Sequence, residues 1–587
     1  MRCGWVAALL AASLTTPAHA DALEDFEALR EEVWQSVLDS DPLLATSLGD
    51  PRGNGKLGDL SLDAYERQVA ETRGFLARLN EIDPEQLPAD SRERIDYAVI
   101  KRDFEDKLAA AQHDHTRFVL FTTYAGWFTG FASLPGRSPF FTKADYESYV
   151  ARLSQFPEFN RNGIERSREG VTRGLSQACE PFEGFDAKIA AQIVDDPGQS
   201  VFWRPFDRGR PSIIPEVDWQ AMQQDARAII RDDVMGAYRD LLAFYANEYA
   251  PNCRNGLPGV SETPGGDEYY AQRVQSFTTT DVTPDDVHQR GLSEVARIRA
   301  EMEEIAKGAG YSSREAYIEH LRTDPAYYMT DVDSYVAHVA ALAKTIDGFL
   351  PQLFMRLPRN PYTVKPIPAA IAPGTTTAYY QPGSLSAGQS GIYRINTTKL
   401  DQRPLWELPA LSLHEAVPGH HLQISIQQEL EMHPLTANTA YFTAFVEGWA
   451  LYAERLGIEM GLYDTPAKQM GRLSYEMWRA SRLVVDTGLH SKGWTKQQAV
   501  DFMLDNTALS AANIDAEVNR YISWPGQALA YKTGELKIRE LRAWAEEQMG
   551  DAFDLRVFHD TVLANGSLPL DVLEDYVKAA YTRPNGE

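Results

Sequence analysis

The stretch "ALSLHEAVPGHHLQI", residues 410–424, holds three of the chain's twelve histidines, His414, His420 and His421. It opens as H-E-x-x-H does. In that helical pattern two imidazoles one turn apart bind zinc and the glutamate acts as base. One turn after His414, however, stands Pro418, which binds no metal. His421 is seven residues from His414, close to two turns, so the pair shares a face but lies about 10 Å apart on a straight helix. Zinc–nitrogen bonds of about 2 Å would strain to bridge that gap. Pro418 and Gly419 offer a way out, because proline interrupts the helical ladder and glycine tolerates unusual dihedrals, so a bulge there shortens the separation.

A hydrolytic zinc site wants three His/Glu ligands and an open position. Glu447, in the apolar, aromatic setting of "AYFTAFVEGWALYAERLGIEMG", is the candidate third ligand, and Glu454 lies two turns on along the same face. Glu415 would be the general base. The competing reading is a polar helix end whose histidines are satisfied without a metal.

The elements that must position these groups are mostly helices. Apolar residues recur at three- and four-residue intervals in "ALEDFEALREEVWQSVLDS" and "DSRERIDYAVIKRDFEDKLAAAQ". Thr283 caps a helix that Gly308 stops. The aromatic-dense run 118–141 reads as core or cleft wall, and residues 250–270, rich in Pro and Gly, as an ordered crossing between lobes. Two strand-like runs, Thr375 to Tyr380 and Gly391 to Asn396, precede the histidine cluster.

The expected fold is therefore mainly α, two helical lobes around a cleft with a small β element beside the histidine helix. Residues 1–20 read as a secretory leader (Arg2, an apolar run, then Ala18-His19-Ala20) that is too short to span a bilayer. Residues 21–587 form one unit, with an N-terminal lobe to about 260 and a catalytic half from about 261. A net charge of −26 argues against nucleic acid. The expected location is periplasmic or secreted, where Cys179 and Cys253 could pair.

The segments "GIYRINTTKL", "ALSLHEAVPGHHLQI", "VEGWALYAERLG", "RASRLVVDTGLHSKGWT" and "NRYISWPGQALAYKTGELKI" together resemble the bacterial DUF 885 family over nearly the whole mature chain. The resemblance implies a zincin metallopeptidase, with an order of elements similar to the angiotensin-converting-enzyme and oligopeptidase group. On that register His421 is the second zinc ligand, with His420 the runner-up, and Glu447 the third. Tyr521, beside Arg520, matches the oxyanion-stabilising tyrosine, and Tyr531 is a second candidate. The strand around Ala378 and Tyr379 resembles an edge that pairs with a substrate backbone. His490 stands in for a substrate-binding histidine otherwise missing here, Arg479, Arg482 and Lys532 are candidate anchors for a substrate carboxylate, and Arg520 is a further substrate-binding candidate.

The implied activity is zinc-dependent hydrolysis of short peptides, with one Zn2+ per chain, and carboxy-terminal trimming is one form it could take. A zinc amidase acting on a non-peptide amide, or a non-catalytic binder of peptide or metal, is the alternative.

Overall fold

A computed structural model describes residues 18–582 apart from 90, 370, 373–374 and 386–387. Residues 1–17 of the expected leader thus lie outside the described residues. The chain is 69% helix and 4% strand. Among the described residues no helix is long and apolar enough to cross a membrane.

The N-terminal portion of the chain carries a core of its own. Phe121, Trp127, Phe131 and Phe156 pack there with Phe202 and Tyr238, and the rings of Phe131 and Phe156 stack at 3.8 Å. Most of the aromatic run 118–141 is thereby core, while Tyr124 and Phe141 are exposed. Cys179 and Cys253 are bonded, closing a loop with a sequence separation of 74.

Toward the C-terminus a pair of long helices, Pro284–Gly308 and Pro466–Ser491, lie against each other. The first has the expected Thr283 capping box, in which the Thr283 hydroxyl accepts from the Asp286 amide and the Asp286 carboxylate accepts from the Thr283 amide. Helix resumes earlier than the sequence suggests, at Gly266–Thr278.

The helices Thr443–Leu456 and Ala530–Met549 cross at two glycines. A Cβ on Gly534 would stand 1.8 Å from the Ala444 carbonyl oxygen, and one on Gly448 would stand 2.5 Å from Gly534 Cα. Only glycine at both positions lets the backbones approach this closely.

Three strands form the β element: β1 (Tyr362–Pro366), β2 (Ala378–Gln381) and β3 (Gly391–Ile395). Their order is β1-β3-β2, with β1 parallel and β2 antiparallel to β3. The sequence reading found β2 and β3 but not β1, whose five residues end in a proline. Tyr393 and Ile395 of β3 pack with Leu408 and Leu411 of the helix that carries His414, so the sheet buttresses that helix.

Candidate metal centre

The helix Leu408–Glu415 has Pro409 in its first turn and is buried from Leu408 to His414. It stops at Glu415. Ala416 (φ −97°, ψ −113°) and Gly419 (φ −74°, ψ −129°) leave helical geometry, with a cis Val417–Pro418 bond between them. A second helix then runs over His420–Gln428. Gly419 allows the reversal, since a Cβ there would stand 1.9 Å from the His414 carbonyl oxygen. The Trp449 indole N–H fixes the turn by donating to the Pro418 carbonyl at 2.8 Å.

This break decides which histidines meet. Six residues apart on a continuous helix, His414 and His420 would point to different sides and stand about 9 Å apart along the axis. Folded at Gly419, their rings have centroids 4.8 Å apart, at 84°. The Glu447 carboxylate, on the helix Thr443–Leu456, faces both: its Oε2 lies 3.6 Å from His414 Nε2 and 3.6 Å from His420 Nε2. One ligand atom from each of these residues lies within 4.8 Å of the others. Tetrahedral zinc with bonds of about 2.0–2.2 Å sets its ligand atoms about 3.3–3.6 Å apart, and the two histidine–Glu447 separations of 3.6 Å match that.

Behind the triad, Glu454 Oε1 lies 2.9 Å from His414 Nδ1. Were its proton held on Nδ1 by Glu454, the Nε2 lone pair would be free for a metal ion lying between His414 and Glu447. Burial pulls the His414 imidazole down, but hydrogen bonds to Glu447 and Glu454 outweigh it and raise its pKa to about 9. For Glu447, burial raises the carboxyl, and His420 and His414 more than reverse this, holding it well below the usual carboxylate range. His420 Nδ1 is buried without a hydrogen-bond partner. Two imidazoles and a carboxylate turned toward one point are the donor set of a catalytic zinc site.

His421, the sequence's first choice, points away. Its Nδ1 is 2.9 Å from the Tyr380 hydroxyl of β2, and its ring packs against Tyr362 of β1. Burial lowers its pKa to about 4. The in-phase argument for His421 assumed a helix that only bulges, whereas the helix ends and restarts, and His420 takes the place.

Glu415 is half-buried beside His414, whose imidazole feels its charge. Tyr521 is fully buried and its hydroxyl is saturated. It donates to Glu517 at 2.6 Å and accepts from Arg482 Nε at 3.0 Å and Trp478 Nε1 at 3.2 Å. It is thus a structural tyrosine. Tyr531 is half-buried, with the Arg482 guanidinium 4.4 Å from its ring centroid. Burial raises its hydroxyl, and the negative charge of Glu447 raises it further.

The remaining candidates divide in the same way. His490 accepts from the Val260 amide on Nδ1, so its Nε2 donates to the Tyr521 carbonyl, and the ring has no donor left for a substrate. Lys532 is wholly buried among Glu294, Glu476 and Glu535, at 3.0, 2.9 and 2.8 Å, and anchors helices rather than a ligand. Arg482 and Arg520 both pair with Glu517, at 3.1 Å each. Arg479 stacks on Trp478 and lies 3.6 Å from Glu454. Ala378 is buried, while Tyr379 is half-buried on β2, which pairs only with β3 among the described residues. The sequence reading passed over Tyr441, which is 63% exposed on the segment before the Glu447 helix. Its only signal was position, six residues before Glu447.

Fold and site together describe a mainly helical protein with an inward-facing His-His-Glu group at a helix break. Residues 42–577 match the family described as "Bacterial protein of unknown function (DUF885)", and the chain belongs to that family. It is similar to the crystal structure of "the putative lipoprotein from Colwellia psychrerythraea" (26% identity, TM-score 0.86, 96% of this chain and 99% of that one). It also resembles a protein of unknown function from Shewanella oneidensis (18% identity, TM-score 0.73, 94% and 99%). No curated protein matches the chain.

Proposed function

We propose that the protein is an exported zinc-dependent hydrolase whose substrates are short peptides. One observation carries the reading: His414, His420 and Glu447 converge within 4.8 Å, with a buried carboxylate orienting the first histidine. These three residues would hold the ion, and Glu454 would keep His414 in the ligating tautomer. Zinc so held supplies Lewis-acid polarisation and activation of water.

The chain's own groups do the rest. Glu415, adjacent to a ligand and half-buried, takes the proton from the attacking water and passes it to the departing amine. Tyr531 replaces Tyr521 as the hydroxyl aimed at developing negative charge. The β2 edge offers backbone groups to an extended peptide. Export is supported by the leader-like residues 1–20, the Cys179–Cys253 bond and the likeness to a protein described as a lipoprotein.

Metal content of the purified protein tests this reading. About one zinc per chain is expected, lost in His414→Ala, His420→Ala and Glu447→Ala and kept in His421→Ala. Glu415→Gln keeps the zinc and lowers peptide hydrolysis by about 10²–10⁴-fold. A wild-type protein without stoichiometric metal refutes the proposal.

A further inference from the structure

The carbonyls in the break between the two histidine helices are satisfied in different ways. The Ala416 carbonyl accepts from the His421 amide at 3.0 Å, and the Gly419 carbonyl accepts from the Gln423 amide at 3.1 Å, both within the local chain. The Pro418 carbonyl between them is reached from another helix, by the Trp449 indole N–H at 2.8 Å. Among the described residues no other donor meets it.

Trp449 is itself held fast. It is fully buried, and its ring packs on those of Phe354, Tyr452 and His559, with centroids 6.2, 5.6 and 5.7 Å away. The His559 Nδ1–H donates to the Leu353 carbonyl at 2.8 Å, so its Nε2 accepts from the Tyr452 hydroxyl at 2.8 Å. An indole wedged in this way cannot swing its N–H off Pro418 without opening the core.

The helix Thr443–Leu456 that carries Trp449 also carries Glu447 and Glu454. It therefore meets the histidine cluster at three points: Glu447 beside both imidazoles, Glu454 at His414 Nδ1, and Trp449 on the chain just ahead of His420. The third contact bears on which histidine is presented. His420 faces Glu447, whereas its neighbour His421 faces Tyr380. One residue of helix is about 100° of rotation, so a slip in the phase of the second helix by one residue would exchange the two. We propose that Trp449 is a positioning residue for the metal: its N–H, acting through the Pro418 carbonyl, fixes the phase of the helix His420–Gln428 and so presents His420 rather than His421 to the ion. The proposal rests on the zinc site of the hydrolase reading.

Zinc affinity, measured by competition with a chelator of known affinity, tests this without turnover. The cycle comprises wild type, Trp449→Phe, His420→Ala and the double variant, with thermal unfolding as the folding check. Trp449→Phe keeps an aromatic ring in the core but has no donor for Pro418. It should weaken zinc binding by at least about tenfold, the scale on which residues that orient a ligand act. In the His420→Ala background the same change should alter affinity by less than about threefold, because the two positions act as one unit. His559→Gln loosens the wedge behind the indole and should give a smaller loss with the same dependence on His420; it decides the question if Trp449→Phe does not fold. Unchanged affinity in the folded variant overturns the proposal. So does an equal loss in both backgrounds, since general loosening of the fold would act whether or not His420 is present. A wild type without stoichiometric zinc is a different result, which refutes the hydrolase reading and this proposal with it.

Discussion

Glu454 Oε1 sits 2.9 Å from His414 Nδ1 inside the protein, and both side chains are almost completely enclosed. Such a carboxylate fixes the tautomer and raises the basicity of a ligating imidazole. Glu454→Ala should therefore weaken zinc binding by about 10–100-fold while leaving the three ligands in place. Competition against a chelator of known affinity measures this, and unchanged affinity would show the contact to be packing alone.

On the hydrolase reading, Tyr531 and Tyr521 have different tasks. Tyr531→Phe should lower kcat by about 10²–10³-fold with zinc content intact, the loss seen when an oxyanion donor is removed. Tyr521→Phe strips a partner from Glu517, Arg482 and Trp478 and should cost about 1–3 kcal/mol of stability. Steady-state kinetics alongside denaturant unfolding distinguishes the two; interchanged outcomes would restore Tyr521 to the site.

The Gly448–Gly534 crossing holds the Glu447 helix against the helix that begins at Ala530. In Gly534→Ala the new methyl would meet the Ala444 carbonyl oxygen at 1.8 Å, so the helices must separate. Overpacking of this kind costs about 1–3 kcal/mol, and the displacement should also reduce zinc affinity. Thermal unfolding and metal titration check both effects, and an unperturbed variant would mean the crossing adjusts freely.

Burial raises the pKa of Asp486 to about 7, although Tyr270 and the Gly526 amide donate to it. Its unfolded value is about 3.9. Between these values the native state holds a proton the unfolded chain lacks, so this contribution to stability is present at low pH and is lost as pH rises toward 7. Asp486→Asn removes the titration. Relative to wild type, its stability should improve on the order of 2–4 kcal/mol between pH 4 and pH 8, whatever the offset at low pH. Unfolding curves across that range test this; a pH-independent difference would place the Asp486 pKa near its ordinary value.

Local rules made much of the fold legible, as the Thr283 cap and the Gly308 stop show. The position of Glu447 opposite the histidines and the break at Pro418-Gly419 were legible too, because a carboxylate in an apolar helix and a breaker inside a histidine cluster are local anomalies. The choice between His420 and His421 was not, since it turns on whether the helix bends or ends. The fate of Lys532 is a second case. Its three carboxylates come from the helices 284–308, 466–491 and 530–549, and nothing within "ALAYKTGEL" reveals that they close over it. Tyr521 and Tyr531 divide for the same reason: ten residues apart, they differ in neighbours supplied by Glu517 and Glu447.

His414, Glu415, His420, Glu447 and Glu454 all fall within one stretch of chain whose ends are 40 residues apart. The groups that pack on this stretch come from outside it as well: Tyr393 and Ile395 before it, Arg479 and Gly534 after it. On the hydrolase reading, the reacting groups and the frame that holds them are therefore written in different regions of the gene. On that reading a lineage could rebuild the frame piece by piece while inheriting the 414–454 stretch unaltered.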